Sequence, residues 1–236
     1  MLEAVLGDLR RQLRLAATEE RRRRLRQFFR QPVTALGVPA VEQKRAAATL
    51  YRPVKSWPVS RRNRLCRRLW EGGILEEGNV AIYLCRRFAT QAGREQFRLF
   101  EEWVDRYVRN WAHCDGVGVW LLGAAIRNEP RLGEELLPWT ESPNPWKRRA
   151  AAVALVGEAK QGRQRNAILA IADKLLDDPD DMVQKGVGWL LKETYPRQAA
   201  AVVNFLRKRR HRAARIVLRY AAEKMTRRHR EQVLAR

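Results

Sequence analysis

Residues 144–156 read NPWKRRAAAVALV, and residues 178–193 read DPDDMVQKGVGWLLKE. In each stretch a polar residue and a proline precede a run with apolar residues at three- and four-residue spacing, which indicates the start of a helix. Each run is followed by a second helical pattern, near residues 163–177 and 196–208. Two successive helix pairs predict an α-solenoid of HEAT-like repeats, in which neighbouring pairs bury one another's apolar faces. An irregular helical bundle with coincidental spacing is the alternative.

Helical periodicity also covers most of the remaining chain, with breaks at prolines and at the Gly72–Gly73 pair. No stretch of five or more residues alternates apolar and polar positions with β-branched content, so we predict an all-α protein. The length of 236 residues suits one large domain, and we predict a single HEAT-like domain over residues 1–236. Within it, residues 1–20 form either a basic helix or a basic arm. The predicted helices lie near residues 2–15, 18–30, 40–51, 58–71, 74–90, 94–109, 113–127, 145–160, 163–177, 181–194, 196–208 and 210–225.

Positive charge is the strongest feature of the composition. The chain has 48 Lys and Arg against 26 Asp and Glu, which gives a formal net charge of +22. An excess of this size is typical of nucleic-acid-binding proteins, and an anionic membrane surface is the main alternative partner. No apolar run approaches the ~20 residues that cross a bilayer, and the N-terminus lacks a signal-peptide core. We therefore expect a cytoplasmic protein that does not span a membrane.

The basic residues fall into three clusters within helical patterns. Separate clusters favour a folded surface that meets phosphates at several points over a single disordered basic tail. We expect the concave side of the solenoid to be rich in Arg, since such a side would suit a rod-shaped polyanion. The clusters are Arg10, Arg11, Arg14 and Arg21 to Arg24; Arg61, Arg62, Arg64, Arg67 and Arg68; and Arg207, Arg209, Arg210, Arg212 and Arg215.

Cysteine and histidine spacing indicates neither a disulfide framework nor a metal site. An odd number of cysteines without CxxC spacing argues against both, and the histidines show no metal-ligand spacing. We expect reduced thiols and no bound metal or cofactor. The residues concerned are Cys66, Cys85, Cys114, His113, His211 and His229.

Asp115 is the acid with the most distinctive surroundings. It lies in NWAHCDGVGVW (110–120), which contains no other acid, and Trp111 precedes it by four residues, so both lie on one face of a helix. Such a carboxylate could stabilise a developing positive charge or activate a water molecule. The alternative is a structural ion pair with an arginine such as Arg149.

Two glycines within a helical pattern directly precede Trp189. Gly186 and Gly188 each cost a helix about 1 kcal/mol relative to alanine. A glycine in such a position indicates that something packs closely against the backbone. That neighbour is either another helix or the backbone of a ligand.

Four segments together resemble the AlkD-like DNA alkylation repair proteins. They are LWEGG (69–73), NWAHCDGVG (110–118), NPWKRRAAA (144–152) and VQKGVGWLLKE (183–193). The segment LRQFFRQPVTALGV (25–38) also resembles the opening motif of that family, and the resemblance extends from about Leu25 to Met225. It implies a HEAT-like solenoid with DNA glycosylase activity, which releases cationic N3- and N7-alkylated purines without a metal or cofactor.

The resemblance also implies roles for individual residues. Asp115 matches the catalytic aspartate of the family, and Trp111 matches an aromatic residue that packs at the lesion. Trp189 matches a second tryptophan that faces the lesion, and Arg149 matches an arginine beside the aspartate and the DNA backbone. Phe28 stands where many members have Tyr, so its contact would be stacking without a hydroxyl group.

Two positions depart from the family pattern. Asn110 and Ala112 stand where many members have a second Trp and an earlier Asp. We expect these departures to affect substrate range and rate more than the type of reaction.

The resemblance implies an enzyme that excises N3- and N7-alkylated purines from double-stranded DNA by hydrolysing the N-glycosidic bond. The resemblance implies that it does so without extensive base flipping. We expect a monomer associated with the nucleoid in the cytoplasm. The main alternative is a non-catalytic HEAT-repeat protein that recognises DNA or RNA structure. A third possibility is a protein-binding scaffold, whose partner would have to be strongly acidic.

Overall fold

The computed structural model describes residues 2–235, and their regular structure is helical. Thr34 and Ile74 form an isolated parallel bridge, and no strand occurs in this part of the chain. None of the helices described there is long and apolar enough to cross a membrane. The α-helices are α1 (Leu2–Leu15), α2 (Glu19–Phe28), α3 (Ala40–Val54), α4 (Val59–Glu71), α5 (Leu75–Arg86), α6 (Arg94–Arg106), α7 (Trp111–Asp115), α8 (Gly123–Asn128), α9 (Pro145–Val153), α10 (Val156–Lys160), α11 (Arg165–Leu175), α12 (Asp181–Thr194), α13 (Ala199–Arg209), α14 (Arg215–Ala221) and α15 (Arg227–Leu234).

The helices group into two compact units. The first unit contains the chain up to Ala89 together with Arg106–Gly116, and the second contains Thr90–Asp105 together with the chain from Val117 onward. Single-domain organisation over residues 1–236 therefore stays a prediction, as does the Arg-rich concave surface.

In the first unit, α1 is a packed helix and not a free arm. Leu6, Leu9 and Leu13 are buried, and the helix packs on α3 and α4. Arg10 extends from α1 to Glu77 in α5, where its Nε and Nη2 atoms each donate to a carboxylate oxygen at 2.9 Å. The hydrogen bond to this buried carboxylate raises the pKa of Arg10. Of the two expectations for residues 1–20, the helix is confirmed for residues 2–15; Met1 lies outside the described residues.

A buried carboxylate organises the turn between α2 and α3. Glu76, in the first turn of α5, accepts hydrogen bonds from three successive backbone N–H groups. The donors are Leu36, Gly37 and Val38, with N···O distances of 2.9, 2.8 and 3.1 Å. Successive N–H groups directed at one anion form a nest, and the helix dipole further favours an acid at this position. Gly37 has a φ of +90°, and a Cβ there would lie 2.3 Å from the Thr18 carbonyl oxygen, so the turn requires glycine.

In the second unit, α12 packs against both α9 and α14. The repeated sequence pattern corresponds to two capped helix starts. The Asn144 side chain accepts from the Trp146 N–H at the start of α9, and the Asp180 side chain accepts from the Met182 N–H at the start of α12. Pro145 is therefore the first residue of its helix as predicted. Pro179 is not, because the capping residue Asp180 follows it.

Two predicted boundaries differ for reasons visible in the backbone. The helix predicted over residues 145–160 is interrupted between α9 and α10, where Leu155 has φ −88° and ψ −2° and its N–H bonds three residues back. The helix predicted over residues 210–225 begins only at α14. The Ala214 N–H donates to the Leu176 carbonyl at 2.8 Å, and this tertiary bond holds the preceding turn outside the helix.

Two helical segments were not predicted from the pattern. Residues Pro130–Glu141 form a 3₁₀ helix that contains Pro138, which cannot donate a backbone hydrogen bond. The other segment is α15, which buries only Val233 and therefore shows little apolar periodicity.

We predict that Glu76→Gln destabilises the protein by about 1.5–3 kcal/mol, the usual contribution of hydrogen bonds to a charged group. The amide replaces one acceptor oxygen with an N–H donor, which would face a backbone donor within the nest. Urea unfolding followed by circular dichroism measures the change. Glu231→Gln, which removes an exposed partner of Arg227, serves as a control and should cost less than about 1 kcal/mol. Equal stability of the two variants would contradict the prediction.

Candidate active site

The segment that carries Asp115 begins with a side-chain cap. The Asn110 side chain accepts a hydrogen bond from the His113 backbone N–H at 2.9 Å, and the Cys114 N–H bonds to the Asn110 carbonyl at 3.1 Å. Asparagine is among the best residues for this position because its oxygen satisfies an N–H that the first turn leaves unpaired. The departure at Asn110 from the family pattern therefore has a structural role.

The His113 ring is buried beside α5. Its Nε2 atom lies 2.9 Å from the Leu75 carbonyl oxygen, and its Nδ1 atom lies 3.3 Å from the Asn110 side-chain nitrogen. A carbonyl can only accept, so Nε2 carries the proton and Nδ1 accepts from the amide. Burial lowers the pKa of His113 to about 4, and the hydrogen bond to Leu75 acts in the opposite direction. The ring is thus neutral at physiological pH.

Three aromatic rings come together at the start of α7. The Trp111 ring lies 5.6 Å from the Phe28 ring and 5.9 Å from the Phe29 ring, measured between centroids. Phe29 is buried, whereas the side chain of Phe28 is 63% exposed. Asp115 is half-buried and lies one turn after Trp111 on the same helix face. Within the first unit, the structure therefore brings Phe28 and Trp111 into contact and places Asp115 next to them along the helix.

The helix continues after Asp115 with a change of hydrogen-bond pattern. Residues Gly116–Leu122 are π-helical, a rare conformation that is frequent at functional sites. A Cβ on Gly116 would lie 2.9 Å from Ile82 Cδ1 in α5, so glycine lets the chain pass close to α5 directly after the carboxylate.

Arg149 occupies α9 in the second unit. Its side chain is buried, with 5% exposed, and its Nη1 donates to the Met182 carbonyl in the first turn of α12. A Cβ on Gly186 would lie 3.2 Å from the Arg149 Cγ. Gly186 therefore makes room for the arginine stem.

The preceding residues of the WKRR segment are engaged differently. Lys147 pairs with Glu101 at 3.0 Å and with Asp105 at 2.8 Å. Arg148 donates through Nε and Nη2 to both oxygens of Asp178 at 2.7 and 3.0 Å, which raises its pKa. Two of the three cations in this segment therefore stabilise the fold through carboxylates.

Trp189 is half-buried on α12, in the same unit as Arg149. The glycines before it pack against neighbouring helices: Gly186 against α9, and Gly188 against Tyr220 of α14, where a Cβ would lie 2.5 Å from the Tyr220 Cβ. The helix-packing interpretation of these glycines is therefore confirmed.

Part of the charge in the three basic clusters is paired within the chain. These ion pairs are mostly exposed, and such pairs contribute about 0–1 kcal/mol each. Two other arginines lie over aromatic rings, Arg61 at 4.0 Å from Trp57 and Arg62 at 3.8 Å from Phe88. The paired residues include Arg11 with Asp8, Arg22 with Glu19, Arg24 with Glu20, Arg68 with Glu71, and Arg209 and Arg212 with Asp173.

The three cysteines are free thiols. The Sγ atoms of Cys66 and Cys85 lie 3.6 Å apart, and the hydrogen bond between them together with burial raises the pKa of Cys85. In residues 2–235 no group of three or more His, Cys, Asp or Glu side chains is arranged to hold a metal ion.

Comparisons with known proteins show the family and the fold of the chain. A family model described as "DNA alkylation repair enzyme" matches residues 9–225. The chain belongs to the DNA alkylation repair enzyme family. It is also similar to a solved structure described as a "Predicted DNA alkylation repair enzyme from Enterococcus faecalis", with a TM-score of 0.81 and 15% sequence identity over 89% of this chain and 97% of that chain. No match was found among the curated proteins.

Membership of the DNA alkylation repair family confirms the resemblance inferred from the four sequence segments. The shared fold confirms the all-α helical-repeat class. The roles assigned to Asp115, Trp111, Trp189, Arg149 and Phe28 stay predictions.

Two residues that contribute to the packing of α7, one within it and one beside it, were not identified as site residues from the sequence of this family member. His113 was considered only as a metal ligand, although an Asn three residues before it is a helix-capping signal. Phe29 was passed over in favour of Phe28, and no local pattern distinguishes the two, because only the packing shows which ring is buried.

We predict that His113 makes the stability of this repair-family protein depend on pH. Below pH 6.5 an unfolded imidazole takes up a proton, whereas the folded ring stays neutral down to about pH 4. The free energy of unfolding should therefore fall as the pH decreases from 6.5 to 4, by up to about 3 kcal/mol more in the wild type than in His113→Gln. Urea unfolding at a series of pH values tests this. His211→Gln, at an exposed position, is the control and should keep the wild-type dependence.

Proposed function

We propose that this protein is a DNA glycosylase that releases N3- and N7-alkylated purines from double-stranded DNA by hydrolysis of the N-glycosidic bond. The observation that carries the proposal is the Phe28–Trp111 contact with the Asp115 carboxylate one helical turn away. Family membership supports a role in the repair of alkylated DNA.

The chemistry suits a single carboxylate. Alkylation at N3 or N7 gives the purine a formal positive charge, so the base leaves as a neutral molecule when the C1′–N bond breaks. The sugar passes through an oxocarbenium-like state, as in glycoside hydrolysis. Asp115 would stabilise that cation electrostatically and orient the water that adds to C1′, and the water proton would pass to the carboxylate or to solvent.

Aromatic faces would select for a cationic lesion. A cation over an aromatic ring gains about 0.5–2 kcal/mol, depending on its exposure. Trp111, whose ring contacts the buried Phe29, would contact the lesion nucleotide, and Phe28 would contribute an exposed aromatic face. Trp189 would make a second lesion contact.

Arg149 would act as a fixed positive charge near the DNA backbone. Its stem is held by Gly186 and one N–H is bound to the Met182 carbonyl, so the guanidinium position is set before DNA binds. Such preorganisation lowers the entropic cost of a contact to phosphate.

The basic clusters would supply the remaining affinity for the duplex. The enzyme would bind the DNA backbone while the lesion stays in or near the base stack. The family resemblance implies this mode, and the net charge of +22 supports binding to the duplex backbone. We expect a monomer that acts on cytoplasmic nucleoid DNA.

A protein that recognises DNA or RNA structure without catalysis is the second candidate. Its support was the departure from the family pattern at Asn110 and Ala112. The capping bond that the Asn110 side chain accepts from the His113 N–H weakens that support, since this residue helps to hold the helix that carries Asp115.

We predict that Asp115→Asn lowers the single-turnover rate of base release by about 10²–10⁴-fold, the usual contribution of a positioned acid–base group. The measurement is release of 3-methyladenine and 7-methylguanine from methylated duplex DNA, with DNA affinity measured alongside. Asp8→Asn, which makes the same charge change at an exposed position of α1, is the matched control and should keep the wild-type rate. Equal rates for Asp115→Asn and wild type would show that this carboxylate is not catalytic. No release by either, with tight DNA binding, would favour the non-catalytic candidate.

We predict that affinity for unmodified duplex DNA falls steeply with salt. Neutralising about six phosphates gives a slope of log K against log salt concentration of about −5. Fluorescence anisotropy with a labelled duplex between 50 and 300 mM KCl measures the slope. A nearly flat dependence would contradict binding through the basic clusters.

A further inference from the structure

The two candidate site residues of α7 and His113 lie on opposite sides of the helix. At about 100° per residue, Asp115 lies about 40° around the helix from Trp111, whereas His113 lies about 200° away. The side that carries the Trp111 ring and the Asp115 carboxylate is thus opposite the side that carries the His113 ring. A displacement of the histidine would therefore move the opposite face.

The orientation of α7 depends on contacts made by its first turn. Only Trp111–Asp115 are α-helical, and the hydrogen-bond pattern changes at Gly116. The helix continues through this change, but the N–H groups of its first turn have no partner within the helix, so contacts from outside must satisfy them and fix the turn.

His113 supplies these contacts through both ring nitrogens. Nε2 donates to the Leu75 carbonyl at the start of α5, and Nδ1 accepts from the side chain of Asn110. The Asn110 oxygen in turn accepts from the His113 backbone N–H. The ring and its own helix cap therefore form a closed set of hydrogen bonds with α5.

The ring also fits a closely packed socket. The Trp70 ring meets the imidazole edge-on, with centroids 4.8 Å apart, and stacks on Tyr107 at 6.1 Å. A Cβ on Gly78 would lie 2.7 Å from both Cε1 and Nε2 of His113. Only a glycine at position 78 leaves room for the ring in this position.

We propose that His113 is a positioning residue, which anchors α7 to α5 and thereby sets the orientation of Trp111 and Asp115 on the opposite face. The proposal rests on the proposed function, because it assigns to His113 an effect on catalysis through Asp115. It assigns no contact between His113 and DNA.

The main test compares His113→Leu with His113→Gln at pH 7.5. Leucine fills the socket but cannot bond to Leu75, whereas the glutamine amide can donate to that carbonyl in place of Nε2. We expect the single-turnover rate of base release to fall about 10- to 100-fold in His113→Leu, with the affinity for DNA unchanged, since a misplacement of about 1 Å is enough for such a loss. His113→Gln should recover a large part of the rate.

His229→Leu is the matched control. His229 is half-buried in α15, and its Nδ1 atom lies 2.9 Å from the Tyr195 hydroxyl. Its replacement also removes a hydrogen-bonded imidazole, and we expect the rate per folded molecule to be unchanged. All rates are measured at a temperature where every variant is folded by circular dichroism. A wild-type rate in His113→Leu, or an equal loss in His229→Leu, would overturn the proposal.

Gly78→Ala tests the socket without changing His113. The added methyl group would displace the imidazole, so we expect a rate decrease in the same direction as for His113→Leu. Gly157→Ala is the matched control, because no atom lies within 4 Å of a Cβ at that position. A wild-type rate in Gly78→Ala would contradict the role of the socket.

Hydrogen exchange separates failure of this proposal from failure of the glycosylase function. If the wild type releases no base, the proposed function fails, but anchoring can still be measured at the backbone amides of Cys114 and Asp115. We expect their exchange to be at least about tenfold faster in His113→Leu than in the wild type or in His229→Leu, since loss of an anchor permits local opening. Unchanged exchange would overturn the anchoring role.

Discussion

The first turn of α5 is the junction on which the first unit depends. Of the four consecutive residues Leu75 to Gly78, the first three each bind a different part of the chain, and the fourth leaves room for one of these contacts. The Leu75 carbonyl binds the His113 ring, Glu76 binds the turn before α3, Glu77 binds α1 through an arginine, and Gly78 leaves room for His113. Two buried carboxylates at a helix N-terminus are stable because each is fully hydrogen-bonded and because the helix dipole favours negative charge there. The catalytic proposal depends on this junction, since α7 is oriented through it.

The positive charge of this protein has two different uses. Some cations are structural: Arg10, Lys147 and Arg148 bind carboxylates in separate segments of the chain. A count of cationic residues from the sequence would assign these side chains to DNA binding, although they are engaged in ion pairs within the chain. The net excess of +22 is nonetheless unaffected by internal pairing, because each pair removes one charge of each sign. The long-range attraction of a polyanion therefore persists even where individual arginines are engaged.

Sequence patterns predicted most of the helices and part of the candidate site. Apolar spacing identified α1 and α12 with correct ends, and i, i+4 spacing placed Trp111 and Asp115 on one face. The predicted start of α14 was wrong because a tertiary hydrogen bond, donated by the Ala214 N–H, determines where this helix begins. His113 was missed because its partner Leu75 is 38 residues away and its socket depends on a glycine in another helix. Local spacing carries no information about such contacts.

The sequence by itself determined the all-α class, the basic character and the resemblance to the alkylation repair family, because periodicity, composition and short motifs are local properties of the chain. The four-residue spacing also predicted that Trp111 and Asp115 share a helix face. The predicted helix began only at residue 113, whereas in the structure it begins at Trp111. Only the tertiary structure decided that Phe28 and Phe29 meet Trp111, that Gly186 and Gly188 face helices, and that His113 is neutral and bound on both sides. Burial and distance between remote segments decide these properties, and both exist only once the helices have packed.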